Sequence, residues 1–420
     1  MLPAVFVGKR MDPQKALLRD LKRAERRRRL IAFALVAPLF LFLLVFFVLP
    51  IGDMLRRSLV DTELSEVWPR TTALTKVWVW DRVSEPTPEM YRALAEDIRQ
   101  SAQERTIAVA ARRLNYALDN GRSLVMNTAR ELRRQTDEPA DWRARLIEID
   151  PAWGDRKTWI AISQAAGPFT DYYLLTALDL ERNEKDKIVR RPPERSLYLQ
   201  VLGRTLLISA TVTVLALILG FPVAYLVANA PKRIAGLLMI LVLLPFWTSL
   251  LVRSAAWIVL LQDQGLVNDM LQALGITSGP VRLIFNRTGV IVAMTHVLLP
   301  FMILPMVATM KAIPPTYMRA ALSLGAHPAI AFIRVYLPQT LPGVGAGVLL
   351  VFIMALGYYV TPALVGGADD QMLAHFIAFY TTSSANWGLA AALGVLLLTA
   401  TAILYMVYAK LVGIGQVKLG

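Results

Sequence analysis

Few residues in this chain could do chemistry, and their spacing points away from bond-making catalysis. There is no cysteine, hence no thiol nucleophile, thiolate metal site or disulfide framework. Three histidines in 420 residues are a poor basis for a metal enzyme. No Gly-x-x-x-x-Gly-Lys-Ser/Thr loop occurs, so the chain has no phosphate cradle with which to hydrolyse ATP itself. What remains is a small set of polar or aromatic groups inside or beside long apolar runs: Trp247, Arg253, His296, Asp369 and Asp370. A charge within hydrocarbon is costly unless paired or hydrated, so Arg253 is a candidate pathway residue by default. Alternatively it snorkels to the membrane edge or pairs with Asp263 or Asp269. His296 is either a pathway residue or a ring hydrogen-bonded to a neighbouring helix. Asp369 and Asp370 either attract a cationic solute by their local field or form a solvated loop pair.

The elements that must position these groups are membrane spans. The chain is 55% apolar, and several of its runs reach the ~20 residues needed to cross ~30 Å of hydrocarbon. The spacing predicts spans near 31–49, 205–227, 237–261, 289–310, 343–364 and 389–409. The fold class is therefore all-α and polytopic. Pro245 should kink the third span, and Pro300 and Pro305 lie inside the fourth. The glycines at 343, 345 and 347 open the fifth and allow close helix–helix approach. Pro362, Gly366 and Gly367 should break its far end.

A net charge of +14 could suggest nucleic acid, but much of the excess clusters at Lys22, Arg23 and Arg26–Arg29 beside the first span. That is a topology signal, which places segment 1–29 in the cytoplasm and makes 30–50 an uncleaved anchor; the same cluster could also touch anionic membrane lipid. No nucleic-acid partner is implied. Residues 51–200 differ in kind. They are charged and hold six of the nine tryptophans, Trp68, Trp78, Trp80, Trp142, Trp153 and Trp159. Helical spacing over 90–118, 124–132 and 142–166, with breaks at Asn120-Gly121, Asp150-Pro151 and Gly167-Pro168, predicts a mostly helical insert on the periplasmic side. Residues 201–420 form a five-span region around a polar connector, 311–342.

That connector is too polar and too rich in proline to cross a bilayer. Pro315 can start a short helix, Gly325 permits a sharp turn, and Pro338 and Pro342 should end the unit. Its pattern is Arg319-Ala320-Ala321, three residues, Gly325, nine residues, then Val335-Tyr336-Leu337-Pro338. This resembles the E-A-A, x3, G, x9, I-x-L-P loop of permease subunits in binding-protein-dependent ABC importers. The runs PFWTSLLVRSAAWIVLLQDQGLVN, VRLIFNRTGV and GYYVTPALVGGADDQM are similar to the spermidine/putrescine branch of that family. The resemblance spans 195–410 and, more weakly, 30–60.

The resemblance implies a six-helix type I importer permease in a bacterial inner membrane, with both termini cytoplasmic. It implies a separate ATPase dimer docked at Arg319, Ala320, Ala321, Gly325, Leu337 and Pro338, a second permease subunit and a periplasmic solute-binding protein. The solute would be polyamine-like, with opines, amino-acid derivatives and phosphonates as alternatives. No cofactor, metal or catalytic residue is implied. One departure stands out, because the loop's leading acid is Arg319 here. Two other classes remain open. A secondary transporter should show acids within its spans and inverted repeats, and neither is visible. A receptor sensing through 51–200 would account for the insert but not for the Arg319–Pro338 pattern.

Overall fold

The computed structural model describes residues 13–78, 85–135, 138–183 and 187–412. The first twelve residues of the basic segment, Trp80 and the last eight residues of the chain lie outside the described residues. The chain forms two units, Met1–Arg56 and Arg57–Gly420. The first is one continuous rod of helix: α1 (Pro13–Leu43), a π turn (Leu44–Val48) and α2 (Leu49–Arg57). Its apolar stretch Ala24–Arg57 has the length and composition of a membrane span. The side chains from Phe33 to Leu49 are exposed and almost all apolar, which only a hydrocarbon solvent tolerates.

The second unit opens with the insert. Its helices are α3 (Glu63–Val67), α4 (Pro69–Val77), α5 (Pro88–Gln103), α6 (Ile107–Ala117), α7 (Gly121–Arg134), α8 (Trp142–Ile149), α9 (Arg156–Gln164) and α10 (Tyr172–Ala177). A two-stranded antiparallel ribbon follows, β1 (Leu180–Arg182) and β2 (Ile188–Arg190), with Leu180 opposite Arg190. Local chemistry sets the breaks. Asn120 takes a left-handed backbone (φ +62°) between α6 and α7, and Asp141 caps α8 by accepting from the Arg143 N–H at 2.8 Å. Asp150, ahead of Pro151, accepts from the Ala152 N–H at 3.0 Å. The apolar run over 90–118 is not one helix, because Arg105 (φ +62°) divides α5 from α6.

Tryptophan builds the insert core. Trp68, Trp153 and Trp159 are fully buried, and Trp78 and Trp142 nearly so. Each of the three deepest indoles finds an acceptor: Ser101 Oγ (3.2 Å) for Trp68, Thr128 Oγ1 (2.8 Å) for Trp153 and the Trp153 carbonyl (2.9 Å) for Trp159. These three rings thus bury area without stranding a donor, whereas Trp78 Nε1 is buried with no acceptor among the described residues. The insert rests on the following region through Tyr173 and Ala177 of α10, which join Tyr198, Val201, Leu373, Leu389, Ala392 and Leu393 in one cluster.

The membrane region continues with α11 (Tyr198–Asn229), α12 (Lys232–Leu243), α13 (Leu250–Leu261), α14 (Leu266–Ala273), α15 (Arg287–Ala312), α16 (Pro315–Ser323), α17 (Pro328–Ala331), α18 (Leu337–Leu356), α19 (Val360–Val365), α20 (Leu373–Thr382) and α21 (Trp387–Val412). Among the described residues six helical stretches are long and apolar enough to cross a membrane: Ala24–Arg57, Tyr198–Asn229, Leu250–Ala273, Arg287–Ala312, Pro328–Leu356 and Trp387–Lys410. The centre is α11, α15 and α18, packed through Val212, Ala216, Met294, Met302, Met306 and Val351. A Cβ on Gly343 would lie 2.5 Å from Thr309 Oγ1 and 2.9 Å from the Pro305 carbonyl, so α18 meets α15 backbone to backbone there.

Three sequence expectations need correction. Pro245 does more than kink the third span. The chain forms a 3-10 turn at Leu244–Trp247 and restarts at α13, where Ser249 Oγ accepts from the Val252 N–H at 3.2 Å. Pro338 and Pro342 do not end the connector. Pro338 occupies the first turn of α18, where its missing N–H costs little, and the helix runs on through Pro342. The fifth span ends at Leu356 rather than 364. Gly357, Tyr358 and Tyr359 form the break, and Pro362 sits inside α19.

Candidate functional site

The connector projects as a bend. Helix α16 contains no buried residue, yet Met318 on one face is half-buried against the α11/α15/α18 core. Arg319 and Ala320 are exposed, and Ala321 is half-buried. On the outer surface Tyr317, Leu322 and Leu324 are also exposed, Leu324 at 89%. The helix ends as the sequence predicts. The Ala326 N–H donates to the Ala321 carbonyl (3.1 Å) and the Gly325 N–H to the Leu322 carbonyl (3.0 Å), closing the two-bond glycine cap of a helix C-terminus. Gly325 has φ +85°, a backbone that side chains disfavour. His327 starts the return helix, its Nδ1 accepting from the Ala329 N–H at 3.3 Å. Next comes a π turn, Phe332–Tyr336, with Tyr336 buried, Leu337 half-buried and Pro338 exposed. The arrangement is a small-residue knob with one face anchored in the helix core and the other open.

A second polar grouping lies where the third and fifth spans break. Trp257 Nε1 on α13 donates to His296 Nδ1 on α15 at 3.2 Å, with the two rings edge-on at 5.3 Å. The histidine is therefore the ring bonded to a neighbouring helix that the sequence allowed for. Arg253, one turn away, is close enough to act on His296 and on Tyr358 through its charge. Its Nε is buried and has no hydrogen-bond acceptor among the described residues. Neither Asp263 nor Asp269 forms an ion pair with it there. Ser254 Oγ and Thr361 Oγ1 meet at 3.1 Å and join α13 to α19. Trp247 is 75% exposed, beside a Phe246 ring that packs on Phe301 at 5.1 Å.

Asp369 and Asp370 belong to a different cluster. Asp370 is buried, bonded to Arg287 Nε at 3.2 Å and accepting from the Gly367 N–H at 3.4 Å. Arg204 donates to the Asp369 carbonyl. Two arginines thus offset this acid pair, and its field is far from that of free carboxylates. Sequence reasoning missed Arg204 and Arg287. The available signal was their position near the starts of two apolar helices, Arg287 at the first residue of α15 and Arg204 in the second turn of α11.

The chain is similar to several known proteins. Residues 212–413 match the family described as binding-protein-dependent transport system inner membrane component. The spermidine/putrescine transport system permease protein PotB of Haemophilus influenzae is 36% identical over 212 residues, covering 50% of this chain and 74% of that protein. PotB of Salmonella typhimurium is 32% identical over the same length and shares. The inner membrane ABC transporter permease protein YdcU of Escherichia coli is 34% identical over 178 residues, 40% of this chain and 57% of that one. A solved bacterial ABC transporter involved in import of the acidic polysaccharide alginate overlays 51% of this chain and 78% of its own at 18% identity, with a TM-score of 0.40. The extent of the match to PotB places the chain in the family of binding-protein-dependent inner-membrane transport components, as an ABC importer permease.

Proposed function

We propose that this chain forms half of the translocation pathway of an ATP-driven importer and borrows its motor. A separate ATPase pair docks on the α16–Gly325 bend, a second permease subunit completes the pore, and a periplasmic binding protein delivers the solute. Nucleotide-driven closure of the ATPase pair would draw the bends together and rock the helices between two accesses. The observation that carries this reading is the bend itself, open on its outer face and tied through Met318 to the central helices. Charge supports the sidedness. After residue 198 the sequence holds four acids, Asp263, Asp269, Asp369 and Asp370, none of them in the connector or its neighbouring turn. Lys232, Arg233, Lys311, Arg319, Arg334 and Lys410 mark the opposite, cytoplasmic side. On this reading 1–29 and the C-terminal end face the cytoplasm and the 51–200 insert faces the periplasm.

For the solute, the PotB relatives support a polyamine-like cation. Arg253, unpaired among the described residues, favours the alternatives that carry an acidic group, such as opines, amino-acid derivatives or phosphonates. Binding of spermidine and of those candidates to the partner binding protein separates the two. The docking assignment is tested by Gly325→Asp, which places a charged side chain at φ +85° on the exposed bend. Uptake should fall at least tenfold while the chain stays in the membrane and ATP hydrolysis continues. Uptake at the normal rate would sink the assignment.

A further inference from the structure

We propose that α11 is a lever joining the insert to the docking bend, with Asp179 as the positioning residue at its insert end. The proposal rests on the reading of the bend as an ATPase dock. Asp179 is buried and sits between α10 and the ribbon with φ +55°. Its Oδ1 accepts from the N–H groups of Leu197 and Tyr198 at 3.0 Å each, and its Oδ2 from that of Leu199 at 2.8 Å. These are free donors at the start of α11, so a carboxylate from the insert satisfies them and complements the positive end of the helix. The Asp179 carbonyl accepts from the Arg191 N–H at 3.0 Å, which fixes the loop to the ribbon. Tyr198, in the same first turn, shares a 2.7 Å hydrogen bond with the Tyr380 hydroxyl of α20.

The other end of α11 grips the chain that returns from the bend. Phe221 and Tyr225 stand edge-on to Phe332 at 6.5 and 5.6 Å, and Tyr225 stands edge-on to Tyr336 at 5.5 Å. Asn229 Nδ2 donates to the Tyr336 hydroxyl at 3.3 Å. Phe332–Tyr336 is the π turn that begins seven residues after Gly325. Both grips lie on one helix of 32 residues that runs on unbroken through Pro222, roughly 48 Å from end to end at 1.5 Å per residue. A rod held at both ends passes a displacement at one end to the other as a tilt, and packed helices shift between discrete arrangements rather than deforming smoothly. The insert is thereby an input to, or a readout of, the motor's state.

The test uses this chain assembled with its ATPase in lipid nanodiscs. In the wild-type complex, amide hydrogen exchange at Leu197–Leu199 should differ at least threefold between nucleotide-free and vanadate-trapped states. Equal exchange overturns the lever, and this arm needs no variant to fold. Asp179→Asn, which keeps one acceptor oxygen, should shift the binding-protein-stimulated ATPase rate at least threefold at unchanged complex yield. Asp119→Asn, which breaks the exposed pair with Arg195 on the same insert, should leave that rate unchanged. A cycle with Tyr336→Phe should be non-additive with Asp179→Asn. An unchanged rate in Asp179→Asn, or additivity in the cycle, also overturns it. If no ATPase co-purifies with the wild-type chain, the docking reading falls and takes the lever with it. If the ATPase co-purifies and turns over while exchange stays flat, the lever alone falls.

Discussion

The insert and the membrane helices of the second unit bury their apolar surface by opposite means. The insert closes around tryptophans, the three deepest of which place their N–H groups on acceptors, and it turns charges outward, as in the Arg92–Glu96 and Arg134–Glu131 pairs. The central helices close around methionine, valine and alanine, with glycine where α18 meets α15, and they turn Ile218, Leu219 and Leu226 outward. The difference is one of solvent. In water, large rings supply the driving force for folding. In hydrocarbon that force between helices vanishes, and association rests on close backbone approach and a few hydrogen bonds. The insert also contains polar groups that the spans could not afford: Arg113 and Asp61 form a fully buried ion pair, joined by the Tyr173 hydroxyl at 3.2 Å from Asp61.

The contrast can be broken most sharply at Trp153. Trp153→Ala removes a ring with no exposure and leaves the Thr128 hydroxyl without its donor. It should cost the insert about 3–5 kcal/mol, read as a lower denaturation midpoint by tryptophan fluorescence with the spans still folded by circular dichroism. The matching change in the spans adds rather than removes atoms. Gly343→Val forces α18 away from Thr309 and Pro305 and should cost about 1–3 kcal/mol, read as a lower thermal midpoint of the detergent-solubilised protein. An equal loss from Gly343→Val placed in the insert's range would blur the distinction between the two regions. The smallest effect is one of pH. Burial pushes the Tyr116 hydroxyl up to about 12, and burial raises Tyr173 as well. Both are neutral in the folded insert, whereas an unfolded tyrosine ionises near pH 10. The contribution of Tyr116 is therefore complete below about pH 10 and is lost as pH climbs through about 12. Denaturation midpoints measured from pH 8 to 12 should fall only over that upper range.

Much of this organisation was legible in local patterns. Four span positions follow from runs of apolar residues, while the third moves from 237–261 to Leu250–Ala273 and the fifth from 343–364 to Pro328–Leu356; the Gly325 bend follows from a glycine placed just past a small-residue helix. Asn120-Gly121 and Asp150-Pro151 carry their turn chemistry in adjacent residues. What escaped depends on partners far along the chain. Asp179 reads as one more charge in a charged stretch, because its three donors arrive 18 to 20 residues later, beyond a ribbon that the sequence hardly signals. The acid pair at 369–370 reads as open because Arg204 and Arg287 come from two other helices. Gly357-Tyr358-Tyr359 breaks the fifth span although a proline five residues beyond the glycine looked the better breaker; Pro362 instead falls in the first turn of α19, where it is tolerated. Helix α20 was hidden inside what looked like a loop, since ten residues are too few to register as a span.

Gly388 limits how such a protein could be assembled by recombination. Any Cβ there would stand 2.3 Å from the Tyr173 ring. A relative with a side chain at this position could not receive the tryptophan-filled module by simple transplantation, because α10 would find its landing place already taken. Donor module and recipient membrane helix must therefore be exchanged together, as key and lock cut from one blank.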